Sequence, residues 1–187
     1  QTIDSVYVAS QLVVNLQSIV SRQVDPVEPC VVSVGSIHGG SSFNVIAESS
    51  VLNGTVRTFN PDLRQEVKVR MERIVQATCE MSQATYELEY KLGYPTVIND
   101  TNEAARFFRV GTTLFGEGKV HESPLIMAGE DFSYYLQEKP GCFMFVGAGN
   151  VEAGIVYPHH HPKFDIDERS MLNAANLLLT MALDYMA

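Results

Sequence analysis

The order of hydrophobic periodicities in the first half of the chain limits the fold more than any other feature. Ala9, Leu12, Val13, Leu16, Ile19 and Val20 recur at helical spacing, with Asp4 placed to cap them. The stripe stops before Asp25-Pro26, because the residue ahead of a proline resists the helical region. Cys30 to Ile37 then reads as a strand, Gly39-Gly40 as a turn, and Ser49 to Phe59 as a second strand by its alternation. Asn60-Pro61 supplies a cap and a proline at the first helical position. The helix it opens runs to about Ser82, with Leu63, Val67, Met71, Ile74, Val75 and Thr78 inward. Thr85 to Leu92 alternates again, with Tyr86, Leu88, Tyr90 and Leu92 on one face, and predicts a third strand. The order α-β-β-α-β is one strand short of a split β-α-β repeat, so the remaining strand is expected before Gln1. The chain is thus predicted to be α/β, opening with an α+β domain that packs two helices on an antiparallel sheet.

Gly93 to Asp100 is a turn-rich connector and divides residues 1–95 from residues 96–187. Beyond it a helix is expected from about Asn102 to Phe115, and a short one opening at Gly129-Glu130-Asp131-Phe132 with two acids in its first turn. A strand from Cys142 to Gly147 leads into the loop Gly147-Ala-Gly-Asn150, too short a signal for a phosphate site. The last helix spans about Glu168 to Tyr185, with Leu172, Ala175, Leu178, Leu179, Ala182 and Leu183 inward.

Composition excludes several classes. With 45% apolar residues over 187 positions the chain can bury a core, yet no apolar run approaches the roughly 18 residues of a spanning helix. No basic-then-apolar leader opens it, so a cytoplasmic protein with no membrane partner is expected. The net charge of −9 without a Lys/Arg cluster would repel a nucleic-acid backbone. Cys30, Cys79 and Cys142 are far apart and odd in number, which argues against a disulfide scaffold or a cysteine zinc site. The partners left are small molecules and a second copy of the chain.

The chemistry concentrates in Val156-Tyr-Pro-His-His-His-Pro-Lys-Phe-Asp-Ile-Asp-Glu168, which holds three of the five histidines and a set of carboxylates. Imidazole is a common neutral metal ligand near pH 7, and carboxylates bind divalent ions or fix the imidazole tautomer. Pro158 and Pro162 predict an extended triplet, in which His160 faces away from His159 and His161. A metal is then reached by His160 alone or by the flanking pair, and the residues by themselves leave both open. The plainer reading is a solvated polar loop.

The pattern H-x-P-x-F-x-x-D-E, met as His160-His161-Pro162-Lys163-Phe164-Asp165-Ile166-Asp167-Glu168, resembles the last metal-ligand motif of the two-metal amidohydrolases. That family includes hippurate hydrolases, aminoacylases, diaminopimelate deacetylases and plant auxin-conjugate hydrolases. Its ligand is the histidine two before the proline, so the resemblance selects His160. His38-Gly-Gly-Ser-Ser-Phe-Asn-Val-Ile46, otherwise a hairpin turn, is similar to the G-G-x-x-x-N-V-I-P loop of the family's lid domain, with Ala47 in place of the usual proline. The resemblance implies that Asn44 is the catalytic donor to the substrate carbonyl. It implies that Arg57, otherwise an ordinary surface cation on the second strand, binds the substrate carboxylate in bidentate fashion. Gly129-Glu-Asp-Phe-Ser-Tyr-Tyr135 looks like the G-E-D-F-S-Y-Y segment bordering the family's cleft, implying substrate contacts for Gly129 and Glu130. From the sequence alone, helix capping by the acids is the plainer role.

The resemblance covers nearly the whole chain, yet only the C-terminal part of a family member. The H-A-C-G-H-D ligands, the paired glutamates and a further ligand histidine find no counterpart. What it implies is a lid domain followed by the C-terminal part of an α/β zinc-peptidase-like catalytic domain. The intact enzyme would use two divalent ions, zinc, manganese or nickel, to hydrolyse N-acyl amino acids, as a homodimer joined through the lid. This chain alone is expected to bind metal weakly and to hydrolyse nothing. The competing expectation is a non-catalytic α/β binding or dimerisation module.

Overall fold

The computed structural model describes residues 2–187, which divide into two compact units: one of residues up to Thr96 with Met127–Gly129, the other of Val97–Ile126 with Glu130–Ala187. In the first unit the Asp4 carboxylate accepts the N–H groups of Val6 and Tyr7 at 3.0 and 3.1 Å, opening helix α1 (Ser5–Ser18). The helix widens into a π-helical turn over Ile19–Gln23 and ends before Asp25-Pro26. Strands β1 (Cys30–Gly39) and β2 (Ser50–Thr58) pair antiparallel, from Cys30 opposite Thr58 to Gly39 opposite Ser50. The register shifts between Val34 and Ser36, a bulge centred on Gly35. Gly54 is fixed by close approach, since a Cβ there would stand 2.5 Å from the Ser33 carbonyl oxygen. Helix α2 (Pro61–Met81) starts where the Asn60 side chain accepts from Asp62 and Leu63. Leu16, Ile19, Val32, Leu63 and Val67 form the core where both helices meet the sheet, and Val8, Val75 and Cys79 extend it.

The predicted strand Thr85 to Leu92 is not paired, and among the described residues the sheet has two strands. Leu88 and Tyr90 are half-buried, which accounts for the alternation. Leu88 and Ala84 pack on the Val8, Val75 and Cys79 cluster, and Arg64 donates to the Gly93 carbonyl, so the segment's contacts run to the two helices. The alternation therefore records one covered face and no ladder.

In the second unit Asp100 caps α3 (Thr101–Phe115) by accepting from Asn102 and Glu103 at 2.9 and 3.0 Å. α4 (Phe132–Glu138) begins after both acids of Glu130-Asp131, so these do not lie inside its first turn as expected. α5 (Arg169–Met186) packs on α3 through a different face from the expected one. Ser170 and Leu177 are buried, with Ala174, Met181 and Asp184 partly so, whereas Leu172, Leu178, Leu179 and Leu183 are each more than half exposed. Periodicity identifies an apolar face but not whether a neighbour covers it, and among the described residues none covers this one. Cys142 to Gly147 forms no strand either. The Asn99 side chain takes both backbone groups of Phe143, donating to its carbonyl at 3.0 Å and accepting its N–H at 2.8 Å. Among the described residues no helix is long and apolar enough to cross a membrane.

α3 and α5 are also joined by a two-pronged pair, Arg109 to both Asp184 oxygens at 2.9 and 2.7 Å. Hydrogen bonding to Arg109 holds the Asp184 carboxyl below the ordinary carboxylate range. A depressed folded pKa stabilises above the unfolded value, and that contribution fades as pH falls toward the folded one. The stability lost in Arg109→Met should therefore be seen in urea unfolding at pH 7, shrink as pH drops below about 4 and vanish in stronger acid. A difference that stayed constant from pH 7 to pH 2 would exclude the pair as its source.

Candidate functional site

The histidine segment is not extended. The His161 N–H donates to the Pro158 carbonyl at 3.2 Å, closing a β-turn whose third residue, His160, has φ +67°. That places His160 in the left-handed region, the type II arrangement that usually calls for glycine or asparagine. The next turn follows at once, with Phe164 N–H donating to the His161 carbonyl at 2.9 Å. Proline does exclude helix here, but a turn satisfies the same restriction as a strand, and these hydrogen bonds select it.

The turn sorts the three imidazoles. His161 stacks on Tyr157, with centroids 4.3 Å apart and planes 12° from parallel, and its Nδ1 accepts the Lys163 N–H at 3.1 Å. His159 meets Phe164 edge-on at 4.7 Å. His160 touches only the edge of His159 at 6.4 Å, and among the described residues it has no side-chain hydrogen bond or ion pair. A cavity of about 330 Å³ lies against this turn, walled by Ile155, Val156, Tyr157, His159, Phe164 and Ile166 among others.

In the first unit, Asn44 sits in the exposed loop between β1 and β2, where Gly40 takes φ +81°. Its Oδ1 accepts from Ser42 Oγ at 2.7 Å, which directs the carboxamide and leaves Nδ2 as a donor. Arg57 on β2 gives Nη1 to the Met127 carbonyl at 2.9 Å, so one edge of its fork is taken and, among the described residues, the other donors are not. Gly129 lies in the same unit against the Tyr94 ring, to which a Cβ would come within 3.4 Å. Glu130 belongs to the second unit, where its Oε1 accepts the N–H of Phe132, the first residue of α4, at 3.1 Å. Asn44, Arg57 and Gly129 thus fall in one unit and His160 and Glu130 in the other.

A divalent ion needs more donors than the described residues assemble. No group of three or more His, Cys, Asp or Glu with metal-site geometry exists among the described residues. His160 fits as one neutral nitrogen ligand of a larger set, and a structural or catalytic zinc site takes three or four. Two features escaped the sequence reading, the bond from Arg57 to Met127 and a clamp of Asn150 on Asp167. Both join positions far apart in sequence, which local spacing cannot signal.

The sequence profile of peptidase family M20/M25/M40 matches residues 7–184. The YhaA protein of Bacillus subtilis (strain 168) is 42% identical over 184 residues, covering 98% of this chain and 46% of that protein. The N-acetyl-L-cysteine deacetylase of the same organism is 36% identical, covering 96% and 41%. Among solved structures, the Bacillus subtilis YXEP protein, a dinuclear metal binding peptidase, superposes with a TM-score of 0.77 at 28% identity, over 98% of this chain and 46% of that one. The chain spans about half the length of the curated relatives it matches.

Proposed function

The chain belongs to peptidase family M20/M25/M40, and from that premise we propose that it is the C-terminal part of a metal-dependent amidohydrolase acting on N-acyl amino acids or related conjugates. The observation that carries this reading is His160, held in the left-handed region on a turn that engages both neighbouring imidazoles and leaves its own, among the described residues, with no hydrogen bond and only the edge of His159 for a neighbour. Backbone held in a sparsely populated region is concentrated at functional sites. A pair of divalent ions, zinc, manganese or nickel, would polarise the amide carbonyl and acidify a bound water. This chain's share is then to give one imidazole nitrogen from His160, to donate the Asn44 Nδ2–H to the carbonyl oxygen as charge builds there, and to take the substrate carboxylate on the free donors of Arg57. Gly129 and Glu130 would border the same substrate.

The first unit is read as the lid, and β1 suits it to self-association, since one edge of that strand has no partner among the described residues. The test uses the full-length protein with a panel of N-acyl amino acids and their carboxamide counterparts. Hydrolysis is expected for the acids, by a dimer in light scattering. Arg57→Ala should chiefly raise KM for the acids, by tenfold or more on the scale of one lost charge-assisted pair, and change little for the carboxamides. Absence of hydrolysis across the panel with the metal-loaded protein would favour the non-catalytic module, and a strict monomer would remove the lid dimer.

A further inference from the structure

The turn that presents His160 lies within residues 151–166, and the two ends of that segment are fastened to each other. Asn150 and Ile155 exchange backbone hydrogen bonds at 2.9 and 2.8 Å, and Asn150 Oδ1 accepts the Ala153 N–H at 3.1 Å, so Asn150 is fixed at the leading end. Its Nδ2 donates to Asp167 Oδ2 at 2.8 Å, while the Asp167 N–H donates to the Ala148 carbonyl at 2.8 Å. At the trailing end Asp167 Oδ1 accepts the Arg169 N–H at 3.1 Å and its guanidinium Nε at 3.0 Å, tying the carboxylate to the first turn of α5. Every oxygen and amide group of the pair is in use.

We propose that Asn150 and Asp167 are positioning residues, a clamp that closes the base of the His160 loop and so sets where the imidazole stands. The proposal rests on the reading of His160 as a metal ligand. A loop whose ends are cross-linked has fewer conformations to lose when its ligand binds, which is how support groups around a ligand raise metal affinity. Its bonds to Arg169 and Asn150 hold the Asp167 carboxyl well below the usual carboxylate range, so it stays an acceptor on both oxygens into acid solution. Among the described residues no hydrogen bond or ring contact joins the loop's histidines to the clamp, and the charged group bonded to it is Arg169 on α5.

The hydrogen-bond pattern also distinguishes this role from simple helix capping. In Asp167→Asn the Oδ1 cap on Arg169 survives, because asparagine caps as well as aspartate does. Its Nδ2 then meets Asn150 Nδ2, donor against donor, and the clamp opens. In Asn150→Asp two carboxylates face each other. The double exchange, Asn150→Asp with Asp167→Asn, restores a donor facing an acceptor between the two positions. It keeps both the Ala153 bond and the Oδ1 contact to Arg169, while the guanidinium contacts to Oδ2 are lost in it as in Asp167→Asn.

The experiment measures zinc affinity by chelator competition in the full-length protein, together with hydrogen exchange at the His161 and Phe164 amides of the metal-free form. Each single variant should lose roughly ten- to hundredfold in metal affinity, the range for support groups around a ligand, and exchange faster at both amides. The double exchange should recover part of both losses, standing above each single variant. Full metal affinity in both single variants, while His160→Ala loses it, would overturn the clamp alone. Metal retained by His160→Ala would overturn the ligand reading and the clamp's role with it. A double exchange no better than the single variants would overturn the proposal even if both single variants were impaired.

Discussion

Replacing His160 in the full-length protein is expected to strip metal and lower amidohydrolase activity by roughly a thousandfold or more, the scale of several kcal/mol of metal-centred stabilisation. The backbone offers a control. His160 carries φ +67°, a conformation that costs a side-chain-bearing residue about 1–2 kcal/mol and glycine almost nothing. His160→Gly should therefore lose metal as fully as His160→Ala does, yet leave the metal-free protein about 1 kcal/mol more stable than His160→Ala in denaturant. His159→Ala and His161→Ala should keep most metal and activity, since their rings are committed to Phe164 and Tyr157. Removing His161 also frees the Lys163 N–H and loosens the turn, so of the two it should show the larger partial loss. Equal collapse for all three variants would mean that the turn, and not one imidazole, is what the site needs. Full metal content in both His160 variants would end the assignment.

Asn44→Ala should lower kcat by roughly one hundredfold with a small change in KM, the pattern of a donor that strengthens as negative charge develops on a carbonyl oxygen. The Ser42 hydroxyl donates to Oδ1 and so turns Nδ2 outward, and Ser42→Ala should reproduce a fraction of the same kcat loss. Asn44→Asp replaces the donor with an acceptor and should be at least as impaired as alanine. Should steady-state kinetics show a raised KM and an intact kcat, Asn44 would be a uniform binding contact and the transition-state role would be wrong. Unchanged kinetics for Asn44→Ala and Arg57→Ala together would remove both from the substrate site.

The local elements of this protein were set by its sequence. Asp4, Asn60 and Asp100 each stand just before a helix and accept from its first amides, because a short side-chain acceptor reaches those groups whatever the rest of the chain does. β1 and β2 follow from period-two runs, and His160 could be singled out because its neighbours match a family motif. Tertiary structure decided what covers each face. The Leu172, Leu178, Leu179 and Leu183 stripe was legible as apolar, yet α5 turns Leu177 to α3, since packing is chosen by the neighbour present. Thr85 to Leu92 alternates as a strand would, but a ladder needs a second backbone, and a half-covered face gives the same alternation without one. Two prolines forbid helix around the histidines and allow both strand and turn. The ring contacts around the turn, Tyr157 on His161 and Phe164 on His159, commit those two imidazoles and leave His160 with only the edge of His159 among the described residues.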